Sequence, residues 1–157
     1  MEENLNQQLQ TLNRLYKESE EIYRGLADRF GLSTTAFWIV YAISHAEQPY
    51  TQNDICNEWF YPVQTINSAV SSLVKKGLIL LEAIPGTRNR KKILLTEEGR
   101  RLAELTVSKV DEIEKNAFLL FSAKERETYI TLFKRHLENL RKEEKKVLDS
   151  IMAQTPS

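Results

Sequence analysis

The chain has 157 residues, of which 41% are apolar and 28% charged, and its formal net charge is zero, as is ordinary for one globular domain with a substantial core. No run of about 18 or more uncharged apolar residues occurs, so we expect no membrane span, and the acidic, polar start MEENLNQQLQ argues against a secretory signal peptide. The single cysteine, Cys56, cannot form an internal disulfide, which fits a reducing compartment and predicts a cytoplasmic protein.

The charge is unevenly distributed along the chain. Residues 1–50 carry four basic and seven acidic side chains, residues 51–95 carry six basic and three acidic ones, and residues 96–157 carry twelve of each. The positive excess therefore lies in the middle segment, where local charge density favours phosphate binding more than the whole-chain sum suggests.

The first third of the chain predicts two helices. Apolar residues at spacings of three, four and seven indicate a long amphipathic helix over 5–30, ended by Gly31. Ser33 is the predicted N-cap of a second helix over 34–45, whose apolar content on nearly all sides is typical of a helix buried between others.

The middle segment predicts two further helices joined by a short turn. Thr51, with Asp54 three residues later, forms a capping-box pattern for a short helix to Trp59. Pro62 suits the first position of the next helix, which runs to Lys76. We expect three apolar side chains of the short helix and its exit to lie in the core, namely Ile55, Trp59 and Phe60.

A hairpin and two long helices complete the predicted elements. Strands are expected over 78–84 and 93–95, Thr96 caps a helix to about residue 121, and Ser122 with Glu125 begins a last helix to about residue 152, followed by a frayed tail, AQTPS. The three long helices carry more apolar surface than the middle segment can cover. They either bundle within one chain or interleave with a second copy, and the second arrangement, a homodimer, is favoured because the middle segment has its own core.

The helix over 62–76 and the hairpin after it carry the features that point to nucleic acid. The polar side of this helix has short Gln, Asn, Ser and Thr side chains, which can bond base edges and phosphates and allow close approach. The hairpin run GTRNRKK holds four positive charges without an acid, and such a cluster gains by releasing counterions from a phosphate backbone. The alternatives are a serine-rich surface helix and a solvated turn that protects a sheet edge.

Three segments occur in this region at a fixed spacing: QTINSA from Gln64, LVKKGLI from Leu73, and RNRKKILLTEEG from Arg88. Together with the long flanking helices they resemble the MarR family of bacterial transcription regulators. The resemblance implies one domain over 1–157 with a mainly α fold and a small β-hairpin wing: a winged helix-turn-helix lobe over 33–96, flanked by dimerisation helices over 1–32 and 97–157. It implies a homodimer that inserts a recognition helix into the major groove and a wing into the minor groove of double-stranded DNA.

The resemblance also implies the residues that would contact DNA. They are polar or basic and lie in the helices and wing of the middle segment: Gln52, Gln64, Thr65, Asn67, Ser68, Ser71, Ser72, Lys75, Arg88, Arg90, Lys91 and Lys92. The chain departs from the family in two places. Gly86 and Thr87 stand where relatives often have an aspartate that orients the wing arginine, so that either Arg88 or Arg90 could read the groove, and Val63 occupies a position that is often basic.

Other residues invite a sensing function. The aromatic segment around the second helix could hold a small aromatic or anionic effector through Trp38, Tyr41 and His45, although plain core packing is the more common role for such side chains. Cys56 could sense peroxide, although a small buried thiol is the more frequent outcome.

No phosphate-binding loop, metal-ligand cluster or nucleophile motif occurs, so we expect neither an enzyme nor a cofactor. The sequence thus predicts a sequence-specific DNA-binding transcriptional regulator. It would be a homodimeric repressor that binds a pseudo-palindromic operator and that a small effector releases from the DNA. The alternative is a winged-helix module for protein association that does not bind a specific DNA sequence.

Overall fold

The structure, a computed structural model, describes residues 2–154, with the side chains of residues 4–153. These residues form six helices and one antiparallel hairpin: α1 (Glu2–Arg29), α2 (Thr34–His45), α3 (Gln52–Glu58), α4 (Val63–Lys75), β1 (Ile79–Ala83), β2 (Lys91–Leu95), α5 (Glu97–Leu119) and α6 (Ala123–Gln154). The predicted fold class, mainly α with a hairpin wing, is confirmed. Of the tail expected to fray, residues 155–157 lie outside the described range, and Gln154 is still helical. No helix within residues 2–154 is both long and apolar enough to cross a membrane.

The chain divides into two compact units, Met1–Asp111 and Glu112–Ser157. In the first unit, one core joins α2, α3, α4 and the hairpin, because each element contributes at least one large side chain that is almost fully buried: Phe37, Ile39, Ile55, Ile66, Leu73, Ile79 and Ile93. In the second unit none of residues 123–153 is buried, so α6 exposes its apolar stripe in the isolated chain.

Local hydrogen bonds fix the starts of three helices as the sequence predicts. The Ser33 hydroxyl accepts a hydrogen bond from the Ala36 amide at the start of α2. Thr51 and Asp54 form a complete capping box at α3, and Ser122 and Glu125 form another at α6. These caps satisfy backbone N–H groups that a helix start leaves without partners, which is why the boundaries could be read locally.

Two predicted boundaries shift slightly. Pro62 is the N-cap of α4 rather than its first helical residue, because its ψ of 140° is extended. Strand β2 begins at Lys91, two residues before the predicted start, since the ladder pairs Leu81 with Ile93 and continues to Ala83 opposite Lys91.

The prediction that Phe60 lies in the core is wrong. Phe60 follows the end of α3 and adopts a left-handed backbone with φ of +56°, which turns the chain into α4. Its side chain is 77% exposed, whereas Ile55 is buried and Trp59 packs against the core. Helix α3 ends at Glu58, so helical geometry does not set the direction of the Phe60 side chain.

The hairpin is attached to the start of α3 as well as paired with itself. The Ile93 amide donates to the Tyr50 carbonyl at 2.7 Å, and Thr51 forms an isolated antiparallel bridge with Lys92. At the tip, the Thr87 amide donates to the Ile84 carbonyl across Pro85 and Gly86. The φ of +77° at Gly86 fits the third position of a type II turn. Backbone hydrogen bonds therefore join the hairpin to the start of α3.

Candidate nucleic-acid interface

Helix α4 separates its apolar and polar side chains onto opposite sides. Ile66, Ala69, Val70 and Leu73 are buried in the core. Every polar residue proposed for this helix is exposed: Gln64, Thr65, Asn67, Ser68, Ser71, Ser72 and Lys75. The spacing of three and four residues that buries one side therefore leaves a continuous polar surface on the other.

A side-chain hydrogen bond extends this polar surface from α4 to α3. The Gln52 amide nitrogen donates to the Asn67 side-chain oxygen at 2.8 Å. Gln52 keeps its carbonyl oxygen and Asn67 its NH₂ group for other partners. The structure thus brings two sequence-predicted site residues together, although they are fifteen positions apart.

Two of the four basic side chains of the hairpin have a carboxylate partner within residues 2–154 and two do not. Within the described residues, Arg88 and Lys91 have no ion-pair partner, whereas Lys92 Nζ lies 2.9 Å from Glu82 Oε1 and Arg90 Nη2 lies 3.8 Å from Asp54 Oδ1. Glu82 and Lys92 are direct cross-strand neighbours in the ladder. Sequence reasoning missed both carboxylates as partners. The strand alternation could have suggested Glu82, but nothing local indicated that Asp54 lies near Arg90.

A cleft of about 400 Å³ lies between the start of α3 and the hairpin. Gln52 and Asn53 line one wall, Arg90 and Lys91 line the other, and Thr51, Leu81 and Asn89 complete it. Because Gln52 also bonds Asn67, polar and cationic groups run without interruption from α4 across α3 to the hairpin.

Asp54 is the most constrained carboxylate beside this cleft. Its Oδ2 accepts hydrogen bonds from the Thr51 backbone amide at 2.8 Å and from the Thr51 hydroxyl at 2.7 Å. These bonds stabilise the charged form and hold the pKa of Asp54 below its ordinary value, the backbone bond most strongly, and the Arg90 charge adds a smaller effect in the same direction. Asp54 therefore stays ionised at neutral pH.

The three residues considered for an effector are neighbours, but Trp38 and His45 line different grooves. The Tyr41 ring stacks on His45 with centroids 4.3 Å apart and meets Trp38 edge-on at 5.2 Å. Trp38 lines a groove with Tyr23 and Tyr61, whereas His45 lines another with Arg100, Glu104 and Asp111. Contacts of Trp38 and Tyr41 with Trp59 are consistent with packing, so the effector assignment stays a prediction.

The His45 ring has a hydrogen-bond acceptor beside each of its nitrogens. Nδ1 lies 3.0 Å from the Tyr41 carbonyl oxygen, and Nε2 lies 3.1 Å from Asp111 Oδ2. Because a carbonyl and a carboxylate only accept, both contacts are hydrogen bonds when both ring nitrogens carry a proton. His45 thus links the end of α2 to α5.

Comparison with known proteins identifies the lobe that carries these surfaces. The sequence model of the MarR family matches residues 30–88, which include α2, α3, α4, β1 and the hairpin tip. The winged-helix lobe is therefore similar to the MarR family. The resemblance seen in the sequence is confirmed, and members of this family are transcription regulators rather than enzymes.

Solved MarR family structures share the fold along most of the chain. A MarR family regulator from Neisseria meningitidis is 22% identical, with a TM-score of 0.71, and the match covers 91% of this chain and 97% of that one. The Staphylococcus aureus MepR–DNA complex is 23% identical with a TM-score of 0.71, covering 83% and 95% of the two chains. Staphylococcus aureus MarR in complex with salicylate and kanamycin is 19% identical with a TM-score of 0.69, covering 88% and 94%. No curated protein matches the sequence.

Proposed function

We propose that this protein is a transcriptional regulator that binds a specific sequence of double-stranded DNA as a homodimer and represses the genes beside its operator. The observation that carries the proposal is the continuous surface from the polar side of α4, through the Gln52–Asn67 hydrogen bond, to the cationic cleft of the hairpin. An α-helix fits the major groove, and side chains of the types on α4 can bond base edges there.

The charges on this surface suit a phosphate backbone. Arg88, Lys91 and Lys75 are exposed and have no ion-pair partner among the described residues, so their donors are available. Placing them beside phosphates would release condensed counterions and make binding depend on salt. The solved S. aureus MepR complex contains DNA, and its chain shares this fold.

The homodimer rests on the apolar surface of the long helices. Helix α1 exposes Leu5, Leu9, Leu15 and Ile22. Residues 112–153 expose a longer set: Ile113, Leu119, Leu120, Phe121, Tyr129, Ile130, Leu132, Phe133, Leu137, Leu140, Val147, Leu148, Ile151 and Met152. So many exposed large apolar side chains are unusual on a monomer. A second copy would cover it, and a two-fold axis would place two α4 helices on half-sites about one helical turn, roughly 10 bp, apart.

A small aromatic or anionic effector would release such a dimer from its operator by favouring a separation of the two lobes that does not match the half-sites. The candidate contacts are Trp38 and His45, each at a groove beside α2, and Tyr41, whose ring contacts both. The S. aureus MarR structure contains salicylate, and its chain shares this fold.

The test is a selection of bound duplexes from a random DNA pool. Wild type should enrich an inverted repeat with half-sites about 10 bp apart. The double variant Arg88→Ala/Arg90→Ala should lose the enrichment, whereas the charge-matched control Lys142→Ala/Lys145→Ala on α6 should keep it. Enrichment of no sequence by wild type, with and without small molecules from a cell extract, would contradict the proposal and favour the protein-association module.

A further inference from the structure

We infer that Asp54 is a positioning residue that holds Arg90 ready for DNA at the junction of α3 and the hairpin. The inference rests on the proposed DNA binding and adds to it a distinction between the two arginines of the hairpin.

Both members of the Asp54–Arg90 pair are held by hydrogen bonds of the joined α3 and hairpin. The Thr51 bonds fix Asp54 Oδ2, and Thr51 is itself buried and bridged to Lys92 on β2. The Arg90 carbonyl accepts a hydrogen bond from the Ile84 amide at 3.0 Å, which fixes its backbone across the hairpin. The remaining carboxylate oxygen, Oδ1, can therefore face only a small part of the surface, and Arg90 Nη2 lies there at 3.8 Å.

The pair contributes little to folding. The Arg90 and Asp54 side chains are 58% and 41% exposed, and exposed ion pairs of this kind are worth about 0–1 kcal/mol. The capping box, by contrast, needs only Oδ2 and Thr51. The Oδ1–Arg90 contact is thus separable from the role of Asp54 in starting α3.

The pair limits the positions that the Arg90 side chain can occupy. A guanidinium has five donors, and one contact with Oδ1 leaves the others open toward the cleft that Arg90 lines with Lys91 and Asn89. An arginine that is already held loses less conformational freedom when it binds. Arg88 lies beside the turn with no such partner within residues 2–154, so it is the adaptable cation and Arg90 the pre-positioned one.

The negative charge of Asp54 allows its positioning of Arg90 to be distinguished from its repulsion of phosphate. A carboxylate beside a DNA backbone repels phosphate, so its removal alone should strengthen binding to every duplex. If Asp54 positions Arg90, removal should weaken binding to the operator while leaving binding to random DNA equal or stronger. The two effects have opposite signs on the operator.

The experiment measures the affinity of full-length Asp54→Asn for the selected operator and for a random duplex of equal length. The amide oxygen of Asn can still accept from Thr51, and its NH₂ group then faces Arg90. We expect the ratio of operator to random affinity to fall about three- to tenfold, as for one side chain that must be ordered on binding. Asp54→Glu, which keeps the charge and supplies the usual capping-box residue, should restore most of the ratio.

Two controls separate positioning from a structural effect. Glu125→Gln makes the same change in the α6 capping box and should leave the ratio unchanged. In an Arg90→Ala background, Asp54→Asn should lower the ratio no further. An unchanged or increased ratio in Asp54→Asn, or an equal drop with Arg90 absent, would overturn the inference. Failure of wild type to select any duplex would instead overturn the proposed function, and this inference with it.

Discussion

Gly99 in the first turn of α5 lies directly against the carbonyl of Leu78. A Cβ at Gly99 would overlap the Leu78 oxygen and would lie 3.3 Å from a methyl carbon of Leu95. Thr96 holds this contact in place, because its hydroxyl donates to the Gly77 carbonyl at 2.7 Å and its oxygen accepts from the Gly99 amide at 3.0 Å. The segment LTEEG thus packs the start of α5 against Gly77 and Leu78, at the end of the winged-helix lobe.

Gly99→Ala should therefore destabilise the protein. The Leu78 carbonyl cannot move without disturbing the start of β1 at Ile79. We therefore expect the free energy of unfolding, measured by urea denaturation, to fall by about 1–3 kcal/mol. Gly25→Ala in α1 is the matched control, since nothing lies within 4 Å of its Cβ position. It should raise stability by up to about 1 kcal/mol. Equal effects of the two substitutions would show that the Gly99 contact is not tight.

Replacement of the strained Phe60 should stabilise the fold. Its positive φ disfavours an L-residue with a bulky side chain, and asparagine tolerates that conformation better. Phe60→Asn should raise the free energy of unfolding by about 1 kcal/mol relative to Phe60→Ala, which removes the ring but keeps the strain. A lower stability of Phe60→Asn than of Phe60→Ala would mean that the backbone at this turn is not strained.

Much of the fold could be predicted from short-range patterns. Ser33, the Thr51–Asp54 pair and the Ser122–Glu125 pair lie within four residues of the groups they bond, so sequence alone located three helix starts. The polar side of α4 followed from spacing in the same way. Phe60 was misplaced because a turn backbone, and not helical periodicity, sets its direction.

The links between elements could not be predicted, because they depend on tertiary geometry. Gln52 bonds Asn67 and Asp54 approaches Arg90 only after α3, α4 and the hairpin have packed together. Gly99 belongs to the LTEEG segment that carries the family resemblance, whereas the physical reason for a glycine there, the Leu78 carbonyl, lies 21 positions away in the chain. The assignment of individual site residues to DNA contacts stays a prediction.

The two capping boxes should make stability fall in acid. The pKa values of Asp54 and Glu125 are both lowered, mainly by hydrogen bonds from Thr51 and Ser122. A carboxylate whose folded pKa is lowered contributes stability above its unfolded value, and that contribution is lost as the pH falls through the folded pKa. The stability difference between wild type and Asp54→Asn, up to about 1 kcal/mol at pH 7 and reduced by solvent screening, should begin to shrink near the ordinary aspartate pKa of 3.8 and vanish only below the lowered pKa of the folded state. A difference independent of pH would contradict the assigned cause.

Removal of apolar side chains from α6 should separate the proposed dimer. Leu137→Gln/Leu140→Gln replaces two exposed leucines on the apolar stripe of α6. Each replacement removes apolar surface that a second copy would bury. Mass measured in solution over a concentration series should shift from dimer toward monomer. Lys142→Gln/Lys145→Gln, on the opposite side of α6, should remain dimeric. A wild-type monomer at all concentrations would contradict the two-half-site arrangement.

We expect the hairpin cations to lie among the phosphates of the operator, with one arginine in the minor groove, while α4 contacts bases in the major groove. The salt dependence of operator binding tests this arrangement most directly. The logarithm of the association constant, plotted against the logarithm of salt concentration, should fall less steeply for Arg88→Ala/Arg90→Ala than for wild type, by about 0.9 per lost phosphate contact. Asn67→Ala should keep the wild-type slope but relax the preference for one base pair. Equal slopes for wild type and the double-alanine variant would contradict the account.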